Sequence, residues 1–461
     1  MNETPLERDI WRPSLGARQG PLYLAIVEAL ERDTSAGRLR PGERLPTQRA
    51  LAAALGCDLT TVTRAYAEAR RRGLIEAVVG RGSFVAETPG AAGPAVDMSM
   101  NLPPVPPGLD LPALLATGLE ALGRQGERAG LLTYRPSGGT AAERAAASLL
   151  VEGRTGPLDP SRVLLAPGGQ AALVAALTTL ARPGDIVLAE DLAYLGFRAA
   201  AGHLGLQVRP VATDGEGLLP DALDAACRAG APRLLYCVPT AHNPTTATMG
   251  EARRRAVLAV AARHGLPVVE DDAYGLLAGE GPPPLAALDP DRVIHLASLA
   301  KCLSPALRLA AVVAPPSMAG RLAAALRAVA LMTSPLMAAL LARWIEDGTA
   351  LRVIRAVRRE AAERQRLAAR LLPAACIAAH PRAHHLWLRL PRPWTSAAFL
   401  DHMRAQGLAL VPASAFATGE RSPEAVRIAL GAAPDQPTLE RALTAVARTL
   451  DSRPDAWPAM V

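Results

Sequence analysis

The sequence predicts an α/β protein with a mainly parallel sheet, preceded by a small helical head. Two observations carry this. From about residue 97, short apolar runs alternate with segments of helical periodicity, as in chains that cross back and forth over a parallel sheet. Before that point, residues 1–86 repeat apolar side chains at helical spacing and end in two short strand-like runs. Residues 87–98, which begin ETPGAAGPA, have the Pro/Gly/Ala composition of a linker.

In the head, Leu22, Ile26 and Leu30 recur every four residues, which predicts a helix from Pro21 to about Ser35. Pro46-Thr47 opens a second helix that runs through Leu55, with Thr47 as N-cap and Gly56 ending it. Asp58 or Thr60 caps a third, which runs to Arg72 and stops at Gly73. Leu74–Val79 and Ser83–Ala86 read as a hairpin around Gly80-Arg81-Gly82. Three helices and a hairpin in this order make a winged helix-turn-helix. Its third helix offers Thr60, Thr61, Thr63, Arg64 and Tyr66 to a DNA groove, and Arg81 stands at the hairpin tip. Residues 38–85 hold nine Arg against four acids. That surplus alone does not separate a DNA-binding unit from a basic protein-interaction module.

In the body, the apolar runs are Val163–Ala166, Ile186–Ala189, Leu234–Val238, Pro267–Val269, Val293–Leu296 and Ala310–Ala314. Helix-like segments such as Gln170–Ala181 and Glu251–His264 separate them. After Ser317 the chain turns helical. A small C-terminal α/β subdomain, about residues 345–461, ends the body, which spans 99–461.

Bulk properties narrow the function classes. The net charge of +7 permits nucleic-acid binding without establishing it. The five cysteines are scattered and form no C-x-x-C pair, which argues against a zinc site or a disulfide framework. No signal peptide and no run of 18 apolar residues is found, so a cytoplasmic protein without a metal site or a membrane span is expected.

The chemistry is concentrated in one residue. Among 50 basic side chains there is a single lysine, Lys301. Arginine serves wherever positive charge suffices, but its guanidinium does not form an imine. A lysine of lowered pKa does. Keeping one lysine, between Asp271-Asp272-Ala273-Tyr274 and Arg308, points to Schiff-base chemistry with pyridoxal 5′-phosphate (PLP). That cofactor makes demands the chain meets. Gly168-Gly169-Gln170 ends a strand and opens a helix, a nest for a phosphate dianion, with Ser298 supplying a hydroxyl and Arg308 a fixed charge. Asp271 suits the pyridine nitrogen, Asn243 and Tyr274 the ring oxygen, and Tyr194 the flat ring face. Taken singly, each has a plainer explanation as a turn, a cap or a core residue.

Two resemblances tie these residues together. Leu45-Pro-Thr-Gln-Arg49, Thr60-Thr-Val-Thr-Arg-Ala-Tyr66 and Gly80-Arg-Gly-Ser-Phe-Val85 resemble the GntR-type DNA-binding domain. The resemblance implies that Arg49 contacts DNA; Leu59 and Thr63 stand where many members carry arginine. Tyr134-Arg-Pro-Ser-Gly-Gly139, Asp191-Leu-Ala-Tyr194, Pro239-Thr-Ala-His-Asn-Pro244, Glu270-Asp-Asp-Ala-Tyr274 and Ser298-Leu-Ala-Lys301 resemble fold-type I PLP aminotransferases. This implies that Lys301 binds the cofactor and shuttles the proton, that Arg427 binds the substrate carboxylate, and that Tyr134 reaches the partner subunit's cofactor in a homodimer. Ala300, Pro305-Ala306, Thr246 and Ala310-Ala311 depart from the usual pattern.

The combination resembles the MocR-type transcription regulators. It implies a dimer that binds promoter half-sites and senses an amino acid or amine through external aldimine formation. The alternative is a working aminotransferase that carries a DNA-binding head.

Overall fold

The computed structural model describes residues 11–14, 21–40, 42–71, 74–78, 82–85, 96–124 and 128–452. The chain divides into two units, with the break between Ala95 and Val96.

The first unit contains helices α1 (Leu22–Ser35), α2 (Gln48–Leu55) and α3 (Leu59–Arg71), then the antiparallel strands β1 (Ile75–Val78) and β2 (Gly82–Val85). The caps follow the local sequence. The Thr47 hydroxyl accepts from the Ala50 N–H at 3.2 Å, and Gly56 ends α2 in the left-handed region at φ 61°. At the start of α3 it is Asp58, rather than Thr60, that accepts, from the Thr60 N–H at 2.8 Å. Ile26, Leu30, Leu51, Val62, Tyr66 and Val85 form the core.

The second unit is built on a seven-stranded sheet. Its strands are β4 (Val163–Ala166), β5 (Ile186–Glu190), β6 (Gln207–Val211), β9 (Leu234–Cys237), β10 (Val268–Asp271), β11 (Val293–Ser298) and β12 (Ala310–Val313). Their spatial order is β4-β12-β11-β10-β9-β5-β6, and β12 runs antiparallel to both neighbours. The short strands β7 (Thr213–Asp214) and β8 (Gly217–Leu218) form a separate hairpin. Strands β4, β9 and β12 are buried along their whole length, which is why they read as continuous apolar runs, whereas β10 and β11 carry the buried polar residues Glu270 and His295. Strand β6 escaped the sequence reading. Its residues QVRPV break the apolar run, and it lies at the sheet edge, where a proline removes no needed ladder bond.

The C-terminal subdomain has a four-stranded sheet in the order β13 (Ile377–Ala379), β14 (His385–Arg389), β17 (Ala425–Ala429), β16 (Val411–Pro412). Helices Thr349–Leu371 and Gln436–Asp451 pack on it around Leu386, Leu388, Val426, Ile428 and Leu439.

The segment 96–98, assigned to the linker by composition, belongs to this body. Val96–Asp97 is strand β3, paired in parallel with β15 (Leu408–Ala409), and Met98 is fully buried. The alternating apolar residues Val96 and Met98 give it a face to bury, which the preceding Pro/Gly/Ala run lacks. The Ala429 N–H donates to the Met98 carbonyl at 3.0 Å and so extends the tie to β17.

The backbone after this segment runs against Gly431, where a Cβ would lie 1.9 Å from the Leu102 carbonyl oxygen. Gly431→Ala must displace backbone rather than a flexible side chain. It is expected to cost about 1–3 kcal/mol, read as a lower midpoint in urea unfolding.

Candidate functional site

The carboxyl ends of β9, β10 and β11 deliver the central side chains, as the open crevice of an α/β sheet does. Asp271 is the last residue of β10, and its Oδ2 accepts from the Tyr236 hydroxyl on β9 at 2.9 Å. Tyr236 is held flat against Phe197, with ring centroids 4.0 Å apart and planes 3° from parallel. Burial pushes the Asp271 carboxyl up to about 6 against the Tyr236 hydrogen bond, and Asp272 and Glu190 add to the rise.

Under Asp271 lies a layer of paired buried charge. Glu270 accepts from the Leu285 and Ala286 backbone N–H groups at 2.7 and 3.1 Å, and lies 2.9 Å from His295 Nδ1. Arg254 stands 3.6 Å from Glu270 and donates to the Pro239 carbonyl at 2.9 Å. These contacts fix the floor and leave Asp271 facing the cleft.

Lys301 follows β11 in a turn. Its Nζ donates to the Asn101 carbonyl. Burial first, then the nearby Arg427, lowers its pKa to about 8, and Asp271 opposes the fall. The neutral, nucleophilic amine is thus present at ordinary pH.

Arg427 projects from β17 and is buried. It donates to Asn243 Oδ1 at 2.9 Å and to the Ser99 carbonyl, and it lies 5.0 Å from the Phe416 ring centroid. Its Nε has no protein partner. A buried guanidinium held only by neutral oxygens, with a donor to spare, is ready for a carboxylate.

The anion nest is also assembled. Arg308 sits in the left-handed region at φ 50°, and its guanidinium closes on Gly168, where a Cβ would lie 2.9 Å from Nη2. A Cβ on Gly169 would lie 3.1 Å from Ser298 Oγ. Both glycines therefore keep space open between a helix N-terminus, a hydroxyl and a cation. Gln170 donates to the Gly196 carbonyl at 2.8 Å. The Tyr194 ring lies over Gly196, where a Cβ would come within 2.3 Å of it.

Asn101, Tyr236, His384 and His385 did not stand out in the sequence. The Asn101 side-chain amide donates to the Tyr274 hydroxyl oxygen and stands 3.1 Å from His385 Nδ1. His385 Nε2 is 3.1 Å from the His242 carbonyl, which can only accept, so Nε2 carries the hydrogen. Burial first, then Arg427, lowers the His385 pKa to about 3, and the ring stays neutral. His385 thereby fixes the Asn101 amide, which leaves the Tyr274 hydrogen free to donate. His384, also buried, meets the Tyr274 ring edge-on at 5.6 Å, and neither of its ring nitrogens has a protein partner. Only Tyr236 left a signal, as the lone polar tip in an apolar strand.

Tyr134 is 82% exposed and stands apart from these groups. In the first unit, Arg49, Thr60, Thr63 and Arg64 are exposed and Thr61 is half-buried. The Arg64 guanidinium stacks 4.4 Å over Tyr23. Tyr66 does not belong on that face. It is 2% exposed and donates to the Pro46 carbonyl at 2.8 Å, because its position on α3 turns it into the core. Arg81 lies outside the described residues.

Residues 95–446 match the aminotransferase class I and II family, a PLP-dependent family, and residues 22–85 match the bacterial regulatory proteins of the gntR family. The fold is that of solved aminotransferases. Kynurenine aminotransferase of Pyrococcus horikoshii superposes with a TM-score of 0.71 at 23% identity, over 77% of this chain and 91% of that one. LysN, the α-aminoadipate aminotransferase of Thermus thermophilus, gives 0.69 at 27% identity, over 84% and 98%. An aminotransferase-fold body joined to a gntR-type head defines a class of transcription regulator.

Relatives of the same organisation narrow it further. YdeF, an HTH-type transcriptional regulator of Bacillus subtilis, is 31% identical over 96% of this chain and 97% of its own length. TauR, an HTH-type transcriptional regulator of Rhodobacter capsulatus, is 32% identical over 64% and 68%. The chain belongs to the GntR-family HTH-type transcription regulators of MocR type.

Two predictions test the electrostatics. The neutral amine of Lys301 is the reactive form, so the rate at which apo-protein takes up PLP should rise with pH and level off above about 8; stopped-flow absorbance reads it. A rise that continues towards 10.5, the ordinary lysine value, would show that burial does not tune this amine. Asp271 has a folded pKa of about 6, above its ordinary 3.8, so its charge penalises the apo fold as pH rises through that window. Asp271→Asn is therefore expected to stabilise apo-protein at pH 7.5 by on the order of 1–3 kcal/mol, and by less at pH 5, while PLP retention falls. Urea unfolding at the two pH values checks the first part, and desalting followed by absorbance checks the second.

Proposed function

We propose that this protein is a PLP-binding transcription regulator whose body senses an amino acid or amine and whose head binds promoter DNA. The observation that carries the reading is the convergence of Lys301, Asp271 and Arg427 on one cleft, beside the nest formed by Gly168, Gly169, Ser298 and Arg308.

The residues fit the cofactor. The two glycines hold open a cradle lined by a hydroxyl and a guanidinium, which suits a phosphate. Asp271, ionised above about pH 6, suits a protonated ring nitrogen, and Tyr274 and Asn243 suit the ring oxygen. Tyr194, whose ring lies over Gly196, would stack on a face of the cofactor ring. When bound, the cofactor supplies an electrophilic carbonyl carbon and an electron-withdrawing ring.

The chain does the rest. Lys301 offers a neutral amine and takes or returns the proton at its Nζ. Arg427 orients an incoming carboxylate, and Asn243 keeps the guanidinium in plane through its Oδ1 contact. Asn101 and His385 hold Tyr274 with its hydrogen directed outward. The exposed Arg49, Thr60, Thr63 and Arg64 form the DNA-facing surface, with Thr61 at its margin. Tyr134, exposed on the body, would serve a second subunit's site, as the resemblance to fold-type I aminotransferases implies for a homodimer with two heads. Regulation then requires that the amino acid bind one arrangement of the protein more tightly than another.

A second reading has an observation in its favour. Lys301 retains the lowered pKa and Arg427 the spare donor that transamination requires. One experiment separates the two. Visible absorption of the PLP-loaded protein is followed while single amino acids and amines are added, alongside retardation of its own promoter DNA. A lasting ligand-specific spectral shift that alters the DNA complex is expected, and Lys301→Ala should abolish the spectral response. Conversion to the pyridoxamine form, reversed by a keto acid, would establish the enzyme reading instead. Absence of any band from bound PLP would overturn both.

A further inference from the structure

The two cations of the cleft are engaged by the same short stretch of backbone. Lys301 Nζ donates to the Asn101 carbonyl, and Arg427 Nη2 donates to the Ser99 carbonyl. This stretch has a particular place in the chain. It begins two residues after strand β3, whose first residue, Val96, opens the second unit. Everything N-terminal to Val96, including the residues that match the gntR family, is joined to the body through it.

The Ser99 N–H donates to Asp97 Oδ1 at 2.9 Å, and the residues just before it are tied by backbone bonds. Val96 donates to the Gly407 carbonyl at 2.9 Å, and the Met98 carbonyl accepts from Ala429 at 3.0 Å. Met98 plugs the C-terminal core. Beyond Met98 the anchoring changes character. Met100 is 60% exposed and Leu102 39% exposed, so little apolar burial holds this end. The Asn101 side chain is tied into the cleft through Tyr274 and His385. From Ser99 to Asn101 the segment is thus held largely by the groups that line the proposed ligand site.

We propose that the Ser99–Asn101 backbone is an internal ligand of this cleft, so that occupancy by an amino acid and anchoring of the chain that leads to the head compete. A carboxylate is a stronger partner for a buried guanidinium than a neutral carbonyl is. Its arrival at Arg427 releases Ser99. The Lys301 amine is taken up when the cofactor is loaded and is freed again when an amino acid displaces it, so Asn101 is released by cofactor loading and only the Ser99 contact responds to the amino acid. The release happens where the body grips the chain coming from the DNA-binding unit, which gives the effector a physical lever on the head. The differential contact that a regulatory ligand needs is then the exchange of a backbone carbonyl for a carboxylate.

This inference rests on the reading of the site as one for PLP and an amino acid, and the test separates the two. Amide hydrogen exchange is followed in a peptide spanning residues 96–102 of the full-length protein. Two probes are compared, pyridoxamine phosphate and N-(5′-phosphopyridoxyl)glycine. They share the ring and phosphate and leave Lys301 free, so they differ in the glycine arm and its carboxylate. With the glycine adduct, exchange in this peptide should be about tenfold faster than with pyridoxamine phosphate, the size expected for loss of one charge-assisted hydrogen bond. Arg427→Gln should show the fast exchange with either probe.

Equal or slower exchange with the glycine adduct, while both probes stay bound after desalting, would overturn the competition and leave the cofactor reading intact. Slow exchange in Arg427→Gln would overturn it as well. Failure of both probes to stay bound would overturn the cofactor reading itself, and this inference with it; loss of the glycine adduct alone would overturn the carboxylate exchange at Arg427.

Discussion

A primary amine and a guanidinium buried in one cleft are the constraint to which the site conforms. Neither Lys301 nor Arg427 forms an ion pair within hydrogen-bonding distance among the described residues; their direct partners are oxygens of Asn101, Asn243 and Ser99. Burying charge with neutral partners is costly, and the cost appears as a lowered pKa at both groups. At Lys301 the result is a reactive amine. At Arg427, whose proton is far harder to remove, the result is an appetite for an anion.

Around these cations the body separates two kinds of polar burial. In the floor, Glu270, His295 and Arg254 satisfy one another and the turn at Leu285, which makes a rigid base. In the cleft, several groups keep a free valence: Arg427 Nε, both ring nitrogens of His384, and Asn101 Oδ1. Unsatisfied polar atoms cluster where chemistry is expected and are costly elsewhere.

The two units carry their functions at different depths. The body buries its reactive groups. The head displays its polar groups, with Arg49, Thr60, Thr63 and Arg64 exposed on a small core. Tyr66 shows how this sorting overrides sequence proximity. It lies within a helix of exposed threonines and arginine, yet its ring completes the core and its hydroxyl is spent on Pro46. Tyr66 shares the buried side of α3 with Val62, Ala65 and Ala69, and Arg64, two positions away, lies on the opposite side.

The sequence by itself determined the alternation of strands and helices, because parallel strands buried on both faces must be apolar along their length. It also determined the head, through the caps Thr47 and Gly56, and it singled out one amine, since one lysine stands alone among arginines. Those are local or compositional facts. Tertiary structure alone decided the rest. Edge strand β6 reads as a loop until the sheet edge excuses its proline. Asn101 lies 200 residues from Lys301 in the chain and 173 from Tyr274, and no spacing rule links them. Tyr236 reads as core until β9 is laid beside β10 and its hydroxyl meets Asp271. Composition assigned Val96–Met98 to a linker, and only pairing with Leu408–Ala409 made it the body's first strand. In each case the deciding interaction joins residues distant in sequence, whose meeting is fixed by packing rather than by any local pattern.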